Sequence, residues 1–249
     1  MDATNLAATR FPSLQPYPGW LGALRLSQAI RASFRNRYLD VVGSIYIYNE
    51  YRGYTSLDRV LAAARRHCPD DTDFIAAVAR HRADERKHYL MFKRWFQLKG
   101  LMPLAVDTGF GHIDRFIHRT FGCSIDELDT DAIVADAGLF EKLCRVIVLT
   151  EQRGLEQVEE LLRTKAVLGD PVMHRIFRIV HEDEPSHFLP YRDWLTDQGR
   201  PIELWNERLA DWCIHKVLLL GKMPALFFDS GARRMQWWPD ADEAAGKAA

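Results

Sequence analysis

The sequence predicts an all-α protein, and three observations carry that prediction. Gly and Pro gather in a few short stretches and leave long segments between them free of breakers. Within those segments apolar residues recur every three or four positions instead of alternating, which is the period of a helix. The breaks themselves carry helix-end chemistry. Cys68-Pro69-Asp70-Asp71 gives a breaker followed by N-caps, and Leu168-Gly169-Asp170-Pro171 gives a C′ glycine, an N-cap and a proline at the first helical position.

Residues 1–23, with Pro12, Pro16 and Pro18, read as an extended N-terminal arm, and 24–222 as a single helical domain. A first helix is expected over about 24–66 and a second over about 71–99, closed into a tight hairpin at Cys68-Pro69. The stretch 100–130 opens with Gly100 and Pro103 and holds a Ser124-x-x-Glu127 capping box, so it reads as a long crossover with short helices of its own. A third helix over about 131–167 and a fourth over about 171–197 form a second tight hairpin. Pro185 and Pro190 remove two backbone hydrogen bonds from the fourth and kink it. A fifth, over about 201–221, places Trp205, Leu209, Trp212, Val217 and Leu220 on an amphipathic packing or dimer face, with His215 structural. Residues 223–249 are a C-terminal tail, polar and Ala-rich over Pro239 to Ala249.

Composition excludes several classes. The 249 residues hold 33 Lys+Arg against 34 Asp+Glu, a net charge of −1, with 47% hydrophobic residues. That balance fits an ordinary globular chain and offers no electrostatic footprint for nucleic acid or anionic lipid. Cys68, Cys123, Cys144 and Cys213 form no C-x-x-C pair, which speaks for free thiols in a reducing compartment and against a zinc knuckle or rubredoxin-type site. With no signal-peptide run and Val217 to Leu220 as the longest clean aliphatic run, the expectation is a cytoplasmic protein that does not span a membrane. Gly109-Phe110-Gly111 lacks the third glycine and preceding strand of a dinucleotide site.

The core stripes contain groups that do not belong in a core. The second helix presents Phe74, Val78, His81, Glu85, His88, Phe92 and Trp95 on one face, and the fourth presents Phe177, Val180, Glu184, His187, Tyr191 and Trp194. The third gives Phe140, Cys144, Ile147, Glu151, Gly154, Val158 and Leu161, and the first gives Leu39, Gly43, Tyr46, Glu50, Tyr54, Leu57 and Leu61. Each stripe carries one mid-length glutamate. Isolated buried charge costs several kcal/mol or more and like charges add to it, so something positive must sit among the four carboxylates. Metal ions do this, and Glu85-x-x-His88 and Glu184-x-x-His187 each set a carboxylate and an imidazole one turn apart on one side of a helix.

Spacing gives an independent check. The midpoint between Glu50 and Glu85 falls in the Cys68-Pro69 turn, and that between Glu151 and Glu184 beside Leu168-Gly169. Folding each hairpin therefore brings its two glutamates level, roughly 25 Å from the loop at about 1.5 Å per residue. A random chain with this composition of 21 Asp, 13 Glu and 9 His contains D-E-x-x-H about 0.04 times, whereas here it occurs twice, at Asp84–His88 and Asp183–His187.

On these residues the sequence resembles the ferritin-like di-iron carboxylate superfamily, which includes bacterioferritins, rubrerythrins, di-iron monooxygenase subunits and acyl-carrier-protein desaturases. The resemblance covers about 36–197 and rests on E, DExxH, E, DExxH in that order. It implies a four-helix bundle with a long crossover between helices 2 and 3 and an additional C-terminal helix. It also implies two Fe ions, or a Mn/Fe pair, held by Glu50, Glu85, His88, Glu151, Glu184 and His187, with Glu85 and Glu184 as bridges. Asp84 and Asp183 would accept the free N–H of a ligand histidine and fix its tautomer. The threonine that some oxygenases carry one turn after the third-helix glutamate is replaced, since Gly154 and Leu155 stand there, and Gly154 leaves room beside the metals.

Tyr46, Tyr54 and Tyr191 read as packing groups one turn from ligands, and His81 and His181 as hydrogen-bonded core groups in preference to ligands. The implied function is an oxidase or monooxygenase that activates O2 to hydroxylate, desaturate or otherwise oxidise a small or apolar organic substrate. A ferroxidase, storage or peroxide-scavenging protein is the alternative. No flavin, haem or iron–sulfur motif is present, so electrons come from a separate donor or from the substrate. Expected partners are thus the substrate, O2, an electron donor and a second copy in a homodimer, with no nucleic acid and no membrane.

Overall fold

The computed structural model describes the backbone of residues 19–128 and 130–240, with side chains from residue 27 onward except at residue 130. Most of the expected arm, residues 1–18, and the end of the expected tail, 241–249, lie outside the described residues. The chain divides into two compact units, Met1–Asn36 and Arg37–Ala249. In the first, the described residues are helical from Gly19, so the last five residues of the expected arm, 19–23, are helical. No proline follows until Pro69, and isolated glycines such as Gly22 cost a helix only about 1 kcal/mol each.

The described residues are helical, with no strand among them beyond an isolated antiparallel bridge between Leu104 and Arg234. α1 (Gly19–His67) and α2 (Thr72–Lys99) form the first hairpin. Asp71 caps α2 by accepting from the Phe74 amide at 3.0 Å, and Gly100 ends it in a left-handed conformation at φ 64°. Gly43 lies against Phe96 and Gly53 against Glu85, a reversed order that makes the two helices antiparallel. The crossover carries α3 (His112–Phe121) and α4 (Thr130–Ala135). Its Ser124–Glu127 capping box forms in both directions, at 3.0 and 3.2 Å, but closes a turn instead of opening a helix.

The expected third helix is three pieces, α4, α5 (Ala137–Leu162) and α6 (Lys165–Leu168). Asp136 and Thr164 divide them, because each turns its side-chain oxygen onto the amides ahead and starts a new helix. The fourth is α7 (Pro171–Asp183) and α8 (Pro185–Asp197). Glu184 between them keeps helical angles, φ −48° and ψ −42°, while Pro185 has no N–H to give. The amide of His187 bonds back to the Glu184 carbonyl at 2.9 Å and tightens the turn at the break.

The fifth helix departs most from expectation. α9 (Trp205–Val217) runs through one π-helical turn, Leu218–Lys222, into α10 (Met223–Phe228), so part of the expected tail is helical. Trp205, Leu209, Trp212, Val217 and Leu220 are exposed, and Glu207 and Asp211 point inward instead. Two cations set this orientation: the buried Arg145 of α5 pairs with Glu207 at 3.0 Å, and the half-buried Arg153 with Asp211 at 3.0 Å. Removing either carboxylate leaves a desolvated guanidinium, which costs more than an exposed tryptophan. The segment after α10 packs too. Arg234 pairs with Asp40 at 2.7 Å, and Asp240 takes hydrogen bonds from Tyr89 and Lys93, both at 2.7 Å.

Two apolar clusters fill the second unit, and the four stripes contribute to both. One holds Leu57, Val60, Phe74, Val78, Phe140, Ile147, Tyr191 and Leu195, and the other Leu39, Val42, Phe92, Trp95, Val158, Met173 and Phe177. Glu50, Glu85, Glu151 and Glu184 fall on the section between them. A small outer cluster joins Val41, Leu104 and Leu226. The four cysteines are free thiols, and no helix among the described residues is long and apolar enough to cross a membrane.

Candidate metal centre

All six sequence-predicted ligands converge between the two clusters, because each helix presents its glutamate at the same level. Glu50, Glu85, Glu184, His88 and His187 are buried and Glu151 is half-buried. His88 Nδ1 stands 3.3 Å from Glu50 Oε2 and 4.0 Å from Glu85 Oε1. His187 Nδ1 stands 3.4 Å from the same Glu85 oxygen and 3.7 Å from Glu184 Oε2. Two sets of ligand atoms are close enough to share an ion, namely Glu50, Glu85 and His88, and His81, Glu85, Glu151 and His187. Glu85 belongs to both, as a bridging carboxylate would. Glu184 lies beside the second set without belonging to either.

The electrostatics of the bare site are unfavourable in the manner the stripes foretell. Burial first, then Glu50, Glu151 and Glu184, pushes the Glu85 carboxyl well above the usual carboxylate range. Burial and Glu184 push Glu151 up to about 8. His88 Nδ1, His187 Nδ1 and Glu184 Oε2 are buried without a hydrogen-bond partner. Buried polar atoms in folded proteins are nearly always partnered, so several orphans pointing at one spot mark a place for a cation.

The aspartates of the two DExxH motifs act across the centre. His88 Nε2 bonds Asp183 at 2.9 Å, and His187 Nε2 lies 3.8 Å from Asp84, an ion-pair distance. Each motif thus supplies the carboxylate that faces the other motif's imidazole. Lys87 ties the pair together, 2.6 Å from Asp84 and 2.7 Å from Asp183. Burial works to lower both histidines, but Asp183 and Glu50 bring His88 up to about 9, and Asp84 and Glu184 bring His187 up to about 10.

Two glycines make the space. A Cβ at Gly53 would meet Glu85 Oε2 at 2.2 Å, and one at Gly154 would meet Glu184 Oε1 at 3.4 Å. Gly154 was legible from its stripe, whereas Gly53 lies off the stripe and was missed. The signal was present in the repeat Glu50-Tyr51-Arg52-Gly53 and Glu151-Gln152-Arg153-Gly154, in which each glycine follows its glutamate by three and admits the carboxylate from the partner helix of its hairpin. His81 is a buried, hydrogen-bonded core group as expected, and its ring also lies in the second ligand set. His181, also read as a core group, is instead near the surface, 3.5 Å from Glu159. The Tyr46 hydroxyl is buried and unpartnered, and burial, then Glu184 and Glu50, raises its pKa strongly.

A cavity of about 280 Å³ reaches the centre and includes Glu50, Glu85, Glu151 and Glu184 in its wall. The exposed surface of the wall is largely apolar and includes Leu57, Val60, Ile117, Ile133 and Leu143. Polar groups interrupt it, with Ser56 and Arg59 on α1, Glu160 and Thr164 at the end of α5, and a group near α9 in which His112 lies 3.0 Å from Asp211 and Gln157 bonds His215 at 3.0 Å. The chain matches no family model, and no curated protein or solved structure is significantly similar to it.

Proposed function

We propose that this chain is a ferritin-like four-helix protein that holds a pair of transition-metal ions, iron first, and uses them to oxidise an apolar organic molecule with O2. The observation that carries the reading is the convergence of unpartnered buried ligand atoms on four carboxylates, beside a largely apolar cavity. Glu50, Glu85, His88, Glu151, Glu184 and His187 would hold the ions, with Glu85 shared. Carboxylate and imidazole ligands suit both iron and manganese. A reduced metal pair bound there would supply electrons to dioxygen, with a separate donor as the source of reducing equivalents.

The chain's own residues do the rest. Asp183 accepts from His88 Nε2 and so leaves Nδ1 free to ligate. Lys87 offsets the charge of the two aspartates. The apolar part of the wall binds an apolar substrate and excludes water, and His112 and Gln157 offer hydrogen bonds to a polar end. A cavity of about 280 Å³ is more than iron and O2 alone require, which favours an organic substrate over storage. The reading is tested by anaerobic loading of the metal-free protein with Fe2+, followed by metal analysis, gel filtration and O2 uptake. The expected result is two ions per chain and O2 uptake that increases with an apolar substrate. Full metal content in Glu85→Ala overturns the ligand set, and cage-sized particles whose O2 uptake follows iron alone overturn the oxygenase.

A further inference from the structure

His81 is 2% exposed, and its two ring nitrogens have different surroundings. Nδ1 lies 3.1 Å from the Tyr191 hydroxyl. Nε2 has no hydrogen-bond partner and faces Glu85 Oε1 at 3.8 Å and Glu151 Oε1 at 4.0 Å. We infer that His81 is a seventh metal ligand, bound through Nε2, and that it makes the two metal positions chemically unlike. The inference rests on the di-metal reading above.

The distances separate the two roles open to this ring. A core histidine that steadies a carboxylate donates to it at about 2.7–3.2 Å, and neither oxygen is that near. Two atoms bound to one ion at about 2.0–2.2 Å stand roughly 3.0–4.4 Å apart, depending on the angle between them. The separations within this set, 3.4 Å from His187 to Glu85 and 3.8 and 4.0 Å from His81, all fall in that window. The imidazoles of His81 and His187 lie with centroids 4.3 Å apart at 23°, side by side against the same carboxylates. A ring that donates from Nδ1 to the Tyr191 hydroxyl keeps the Nε2 lone pair for a metal.

The repeat within the chain supplies a second, independent observation. Aligning Glu50 with Glu151 and Asp84-Glu85-x-x-His88 with Asp183-Glu184-x-x-His187 pairs Gly53 with Gly154, as their matching roles require. The same alignment pairs His81 with Val180, and Tyr191 with Phe92. The polar pair His81–Tyr191 thus has an apolar counterpart, Val180 and Phe92, both in the second apolar cluster. A histidine and the hydroxyl that orients it occur together on one side of the centre and are absent together from the other. The position near His88 then has one imidazole and the position near His187 has two.

The test is an anaerobic titration of metal-free full-length protein with Co2+, read by visible absorption, with circular dichroism to confirm folding. Wild type is expected to take up two ions. His81→Ala should weaken one of them by about 100-fold or more and leave the other unchanged, with free imidazole restoring uptake through the vacated space. Tyr191→Phe, which keeps the ring but loses the group that orients it, should weaken the same ion by about 10- to 100-fold. Two ions bound with wild-type affinity and an unchanged spectrum in both His81→Ala and His81→Gln overturn the inference and leave the di-metal reading standing. Fewer than two Co2+ in wild type overturns that reading, and this inference with it.

Discussion

Gly53→Ala moves stability and metal binding in opposite directions. The new Cβ would stand 2.2 Å from Glu85 Oε2. Carbon and oxygen do not approach much below about 3.3 Å, so the carboxylate must retreat by about 1 Å or more. It is the far end of a flexible side chain and can do so cheaply. A metal site tolerates ligand displacements of only about 0.2 Å, however, and Glu85 is the residue shared by both ligand sets. The helix meanwhile gains about 1 kcal/mol from replacing an interior glycine, or about 2–4 °C in Tm for a chain of this size. The expected outcome is a metal-free protein that melts higher than wild type in calorimetry yet binds Co2+ or Fe2+ about 100-fold more weakly. Gly154→Ala is the control, since its Cβ would meet Glu184 Oε1 at an ordinary 3.4 Å and both ions should remain. Two ions in Gly53→Ala at wild-type affinity would refute the placement of Glu85, and equal losses in both variants would refute the steric argument.

Three further outcomes are expected. Asp84→Asn and Asp183→Asn should each lower metal affinity by about 10- to 100-fold without unfolding, and Asp183→Asn should do so more, because only Asp183 is within hydrogen-bond distance of its imidazole; metal titration checks both. Gly154→Leu should keep the metals but stop turnover or shift it to smaller substrates, since the larger side chain enters the cavity beside Glu184; unchanged oxidation across a substrate series of graded length counts against the cavity as the binding site. Asp170→Ala should cost about 1–2 kcal/mol, because Asp170 caps α7 through the Met173 amide and pairs with the half-exposed Lys99. Burial raises the Asp170 pKa, but Lys99 and the Met173 amide bring it below the ordinary carboxylate value. A depressed folded-state pKa gives stability that is complete above about pH 4 and is lost as the pH falls through the folded value. Urea unfolding should therefore show a large difference between variant and wild type at pH 7 and a smaller one at pH 3.

What the sequence made legible follows from its periodicity. Glu50, Glu85, Glu151 and Glu184 stood out because a charged residue on an apolar stripe has no bland explanation, and the hairpin midpoints brought them level before any coordinates were known. Asp84 and Asp183 are expected beside histidines, and Asp183 is 2.9 Å from His88 Nε2 while Asp84 is 3.8 Å from His187 Nε2; their crossing from one motif to the other depends on helix packing, which no single-helix pattern contains. Gly53 was missed because only stripe residues were weighed, and it lies one step off the stripe. His81 is the buried, hydrogen-bonded group its stripe predicts, but position on a helix face does not show that its Nε2 lacks a hydrogen-bond partner, which only three-dimensional distances do. The apolar stripe of α9 faces outward and not into the core, because Arg145 and Arg153, ordinary-looking residues of α5, pair with Glu207 and Asp211 on the opposite face. The charge requirement of a neighbouring helix outweighed the apolar stripe of α9 itself.

The return of the last described residues onto α1 and α2 has a consequence for biosynthesis. Arg37 donates to the carbonyls of Leu226 and Phe227, Arg234 pairs with Asp40, and Asp240 takes hydrogen bonds from Tyr89 and Lys93. Translation delivers those partners long after both helices of the first hairpin. At roughly 5–20 residues per second, the outer cluster of Val41 and Leu104 waits on the order of 6–24 seconds for Leu226 to be made. During that interval the nascent hairpin leaves Val41 and Leu104 uncovered, and Asp40 has Arg37 but not yet Arg234 beside it.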